Sequence, residues 1–227
     1  MSKHTEENED VIVDVQEVYS RTETFIENNK KALTGIILAV IVGVGGYFGY
    51  KKIVIAPMEL EAQSEMFMAE KYFEQDSLLL AINGDGLNFG FIDIAEEYSG
   101  TKAANLAHYY LGICYRNIGE YELAIDELKS FSAGDVMISS VALGAIGDSY
   151  MELGDLDAAI NYYEKAIKNG DNQLTSPIYL FKAGNACEDA QDFSGAEANY
   201  KTIKTDYPDS KEAQTIDKYI ARVEALK

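Results

Sequence analysis

Enzymatic chemistry needs nucleophiles, general bases or metal ligands held close together, and this chain has few of them. It contains two histidines, His4 and His108, and two cysteines, Cys114 and Cys187. A serine–histidine–aspartate triad or a multi-histidine metal site therefore has almost no material. The cysteines lie 73 residues apart and form no CxxC motif. Both sit among apolar neighbours and read as small buried hydrophobes rather than as a disulfide. Carboxylates are abundant, and neighbours such as Glu188 and Asp189, or Asp155 and Asp157, could in principle do acid–base work. Among 38 acidic residues such neighbours arise by chance and usually form a solvated face. His108 falls inside a helical pattern and reads as a packed histidine rather than a base. The glycine-rich stretch 83–90 (NGDGLNFG) lacks the Lys-Ser/Thr of a phosphate loop. Only Asp85 and Asp93 would serve a calcium ion there. The expectation is no enzyme, no catalytic residue, no cofactor, no metal and no small-molecule substrate.

Charge excludes a second class. Lys plus Arg number 19 against 38 Asp plus Glu, a net charge of −19 over 227 residues. A nucleic-acid surface needs clustered Lys and Arg, so none is expected. The charge is also unevenly spread. Residues 1–31 carry eight acids and four bases, residues 32–50 carry no charge, and residues 53–227 carry 30 acids and 13 bases.

The neutral segment, ALTGIILAVIVGVGGYFGY, predicts a transmembrane helix over 32–50. At about 1.5 Å per residue it spans roughly 28 Å, near the ~30 Å hydrocarbon thickness. Lys30 and Lys31 flank one end, Lys51 and Lys52 the other, and Tyr47 and Tyr50 stand where an interfacial aromatic belt lies. Five glycines would weaken a soluble helix but are tolerated in a membrane one. The long acidic N-terminal segment fits an uncleaved signal anchor better than a cleaved signal peptide. Arg21, Lys30 and Lys31 against Lys51 and Lys52 bias the N-terminus inward by one charge. Gly35, Ala39 and Gly43 form one small-residue stripe and Gly45 and Gly49 another, either of which could pack a helix or be ordinary glycine content. Before the span, Val11, Val15, Val18, Thr22 and Phe25 or Ile26 recur at helical spacing and predict a short amphipathic helix over 11–29.

The rest is repetitive. Three stretches align: 106–131, 141–166 and 178–203. Each carries a glycine (Gly112, Gly147, Gly184), followed three residues on by Tyr115, Tyr150 or Cys187. A turn follows at Gly119-Glu120-Tyr121, Gly154-Asp155-Leu156 or Gln191-Asp192-Phe193, and then Ala124, Ala159 or Ala196 precedes Leu128, Tyr163 or Tyr200 by four residues. Two helices crossing closely need small residues at the crossing and large ones beside it, and no single pair covers its own apolar faces, so pairs must stack. The fold expected is all-α, one membrane helix followed by an α-solenoid of antiparallel pairs. Its parts are an acidic segment 1–31, the span 32–50, an exit helix and degenerate first pair over 53–104, three repeats over 105–208, and a capping helix over 209–227. One long helix is predicted for 57–82, broken by Gly84-Asp85-Gly86.

With its alanines 35 and 37 residues apart and Pro208 at the closing position, the pattern resembles the tetratricopeptide repeat (TPR), whose period is near 34 residues. It departs from the repeat in having no Trp, in Cys187 standing at a tyrosine position, and in lacking the closing Pro in the first two repeats. Together with the acidic N-terminus, the single span and the exit helix, the chain is similar to the YfgM-like family of ancillary SecYEG translocon subunits. That resemblance implies a single-pass protein of the bacterial inner membrane, N-terminus cytoplasmic and TPR domain periplasmic. It also implies partners among the Sec translocon, periplasmic chaperones and client polypeptides, in a chaperone-like role in protein translocation.

In the TPR fold the first helix of each pair lines a concave groove. Transferred position by position, that gives Leu106, Tyr109, Ile113, Arg116 and Asn117; Asp148, Met151 and Glu152; and Phe181, Asn185, Glu188 and Asp189. With Arg116 the one cation, the set suits extended apolar or basic segments better than a terminal carboxylate. Equally, Tyr109 and Phe181 read as core residues and the acids as a solvated surface. Two other functions fit the topology: a scaffold for envelope assembly or cell division, and a membrane-tethered hydrolase using Glu188 and Asp189.

Overall fold

A computed structural model describes residues 23–227. The predicted 11–29 helix lies mostly outside them; residues 23–28 are helical, with Phe25 and Ile26 exposed. The chain divides into two compact units, one ending at Ala56 and the other beginning at Pro57.

In the first unit, α1 (Lys30–Tyr50) runs into a π-helical turn at Lys51–Ile55. None of its residues is buried, and a Cβ added at Gly35, Gly43, Gly45, Gly46 or Gly49 would meet nothing within 4 Å. The helical run containing α1 holds an 18-residue window of mean hydropathy 2.0, long and apolar enough to cross a membrane by length and composition. Apolar side chains all around such a helix suit lipid, since its backbone polar groups bond within the helix.

The second unit is helical throughout, with no strand among the described residues. It begins within α2 (Ala56–Glu74), whose first residue closes the first unit, and continues with α3 (Leu78–Asn83) and α4 (Phe91–Glu97). Three antiparallel pairs follow: α5 (Lys102–Ile118) with α6 (Tyr121–Ser130), α7 (Val136–Glu152) with α8 (Leu156–Asn169), and α9 (Ser176–Asp189) with α10 (Phe193–Asp206). A 3-10 turn at Ala213–Thr215 leads into the last helix, α11 (Ile216–Leu226). The polar terminal helix therefore starts later than the expected 209.

The helix expected over 57–82 is interrupted before its glycines. Asp76 adopts a left-handed conformation (φ 56), and the Ser77 amide donates to the Tyr72 carbonyl, closing α2. Asp tolerates this conformation, so the chain turns there and returns Ala81 and Ile82 to the core. Gly84-Asp85-Gly86 makes a second turn. The Asp85 carboxylate accepts from the Leu87 and Asn88 amides at 2.9 and 2.7 Å and from the Tyr72 hydroxyl at 2.7 Å. Asp93 accepts from the Gly90 amide at 3.0 Å, so both carboxylates weighed for calcium serve the backbone.

The glycine–large residue pairing builds each hairpin. A Cβ on Gly112 would strike Leu128, one on Gly184 would strike Tyr200, and one on Gly147 would lie 2.6 Å from Tyr163 Cε1. Ala124, Ala159 and Ala196 are fully buried at the same crossings. Within each pair the turn is closed in one way: Glu120, Asp155 and Asp192 donate their amides to the carbonyls of Tyr115, Tyr150 and Cys187. Gly119 (φ 89), Gly154 (φ 78) and Gln191 (φ 61) supply the left-handed residue. Asp155 and Asp192 then cap α8 and α10 through the Ala158 and Gly195 amides, each at 3.0 Å.

The core is a chain of overlapping clusters. One joins α2–α5 around Phe91, Ile94 and Leu111; the next joins α5–α7 around Ile125, Leu128 and Ile146. A third joins α7–α9 around Tyr163 and Tyr179, and the last joins α9–α11 around Tyr200, Ile203 and Ile216. Each first helix serves two clusters, as stacking requires. Cys114 and Cys187 are buried free thiols, and desolvation pushes them up to about 12 and about 11.

Candidate functional site: a concave pocket across three hairpins

The first helices of the three pairs meet around a cavity of about 410 Å³. Arg116 of α5, Asp148, Met151 and Glu152 of α7, and Lys182 and Asn185 of α9 line it, with Tyr121 and Tyr163 from the second helices. Asp148 is its centre. Its carboxylate accepts from Lys182 Nζ at 2.6 and 2.7 Å, from the Tyr163 hydroxyl at 2.9 Å and from Arg116 Nη1 at 3.3 Å. The group is 23% exposed, so its partners act in a partly desolvated setting.

One position after each crossing glycine stands Ile113, Asp148 or Asn185. In the second and third hairpins it meets a tyrosine hydroxyl: Tyr163 donates to Asp148, and Tyr200 shares its one proton between Asn185 Oδ1 at 2.8 Å and Glu188 Oε1 at 2.6 Å. In the first hairpin Ile113 and Leu128 have no polar atom to offer there. Burial raises both tyrosines above the ordinary 10.0, and the Asp148 and Glu188 carboxylates add to this. Burial also lifts Tyr179, to about 12. Because the folded values exceed the unfolded one, this stability is fully present below pH 10 and is lost as pH rises towards the folded values. We expect cooperative alkaline unfolding that begins near pH 10. A pH titration should show the tyrosinate absorbance of these residues appearing together with loss of the helical circular dichroism signal, not before it.

Arg116, Asp148, Met151, Glu152 and Asn185 of the predicted groove set come together at this pocket. The others do not. Leu106 lines a separate cavity of about 360 Å³ with Glu59, Gln63 and Met66 of α2. Asn117 is exposed beside Arg116. Tyr109 packs on Tyr110 and Phe131, and Phe181 packs on Tyr219 of α11 at 4.8 Å and on Tyr200. Their shared register is also that of Gly144, where a Cβ would strike Tyr179. This register faces the next first helix, so both aromatics belong to the seam between hairpins. Glu188 accepts from Tyr200 and from Arg222 of α11 at 2.6 Å, while Asp189 is exposed. Consecutive helical residues point apart, so the two do not form a paired acid and base. His108 is matched by Glu127, with Nδ1 2.6 Å from Oε2.

The expectation of a single groove cation is corrected: Lys182 is a second. Its register matches Tyr110 and Ala145, which read as inward-facing, and only its long stem lets the ammonium reach Asp148. Tyr121 and Tyr163 were missed because they come from second helices.

Stacked antiparallel pairs with a concave face lined by first helices define a TPR-type α-solenoid, a class that works as a scaffold for protein–protein interaction. Tetratricopeptide-repeat family models match residues 106–133 and 145–211. No curated protein matches the chain.

Proposed function

We propose that this chain is a membrane-anchored TPR scaffold of the bacterial envelope, a Sec-translocon-associated helper whose concave pocket receives a segment of another polypeptide. The pocket spanning three hairpins carries this reading. It is open and partly apolar through Met151 and its tyrosines, and it presents two cations and two carboxylates rather than a reactive group. Such a surface suits a mixed-charge extended segment held by side-chain contacts along its length. The anchoring half of the reading rests on the length and composition of α1.

Three measurements test it. Gentle detergent purification of the full chain should recover translocon subunits; recovery of only division or outer-membrane assembly proteins rejects the Sec assignment. Protease should reach the helical stack in intact spheroplasts, and protection there places it on the cytosolic side and ends the proposal. Glu152 is exposed at the pocket rim, so Glu152→Trp should obstruct the pocket while changing stability by no more than about 0.5 kcal/mol. Partner recovery should fall several-fold, while the same change at exposed Glu122 of α6 leaves it intact. Equal recovery from both variants removes the pocket from the interaction.

A further inference from the structure

The helix opening the second unit has a face that the stack does not use. α2 turns Ala62, Met66 and Ala69 into the core. On its far side Leu60 and Phe67, two turns apart, stand 72% and 63% exposed, with exposed Ser64 between them. Glu59 and Glu70 flank this ridge on one side, Glu61 and Glu65 on the other, and Glu74 continues it by a further two turns. Lys71 is the one base in residues 57–100, against ten acids. Among the described residues none of those ten carboxylates is in an ion pair, whereas in the third hairpin and α11 Lys201, Lys204, Arg222 and Lys227 all are.

We infer that the Leu60–Phe67 ridge docks a basic amphipathic helix of another polypeptide. Apolar anchors spaced seven residues apart are the spacing at which one helix seats against another, and flanking carboxylates select a partner with Lys or Arg beside its own apolar stripe. A second copy of this chain would bring the same acids, none of them neutralised by an ion pair, face to face, which like-charge repulsion opposes. An anionic bilayer surface is opposed by the same sign of charge. This surface is distinct from the concave pocket and stands without it.

A photo-crosslinking amino acid at Ser64 of the full chain in living cells tests the inference. The expected product is a heteromeric adduct whose crosslinked segment, sequenced by mass spectrometry, is net positive with apolar residues at three- and four-residue spacing. Leu60→Ala with Phe67→Ala should cut the yield at least about tenfold, the scale of two truncated interface anchors. The melting temperature should stay unchanged, because both side chains are exposed. Glu152→Trp should leave the adduct intact, which separates this surface from the pocket. An adduct to a second copy, to lipid or to an acidic segment overturns the inference, as does no adduct, or a yield unaffected by the double substitution.

Discussion

Tyr200→Ala should destabilise the helical stack by about 3–5 kcal/mol, the cost of removing a fully buried aromatic side chain. Tyr200 has no exposed surface, rests on Gly184, and contacts Phe181 and Tyr219. Its removal opens a cavity in the cluster shared by α9–α11 and strips Asn185 and Glu188 of a donor. For a domain of this size the melting temperature should fall by about 6–20 °C, read by circular dichroism. Because the stack is held by neighbour contacts, hydrogen exchange should accelerate in α9–α11 well before α5 and α6. Tyr200→Phe keeps the ring and should cost about 1–2 kcal/mol. An alanine variant within 1 kcal/mol of the parent would mean that the third hairpin is held by something else.

The second large effect is at a glycine. Gly147→Val should cost about 3 kcal/mol, at the upper end of overpacking. The first carbon added would sit 2.6 Å from Tyr163 Cε1 and 2.7 Å from Cδ1, and the ring is 3% exposed, with α9 behind it. Helix propensity pulls the other way by about 1 kcal/mol at most, too little to offset the clash. Chemical denaturation should show Gly147→Val with Tyr163→Ala to be more stable than the sum of the two single losses, because the second change makes room for the first. Strict additivity would show that the two residues do not touch.

Both effects trace to residues whose role was visible in the chain. Glycine, alanine and a large residue recur in a fixed frame because two helices cannot cross closely without them, and so the hairpins, their turns and the order of the stack were legible. The small residue at Gly147 told as much as the large one at Tyr163. What escaped notice depended on deviation from that frame. Asp76 breaks a helix without glycine or proline, because its side chain tolerates the left-handed region. Lys182 occupies an inward-facing register and reaches Asp148 only by its length. For Tyr109 and Phe181 the sequence left groove and core equally open, and only the abutting hairpins show that their register faces the following helix. The pocket was therefore half legible: its α7 residues follow from position within one repeat, whereas its assembly depends on how three repeats abut.

Asp148 holds Arg116 of α5, Tyr163 of α8 and Lys182 of α9 on one carboxylate. A guest that draws Arg116 away unpins the first hairpin from the second, and one that draws Lys182 away unpins the third. Occupancy of the hollow is thereby tied to how neighbouring hairpins are joined, because both joins end on the same two oxygens.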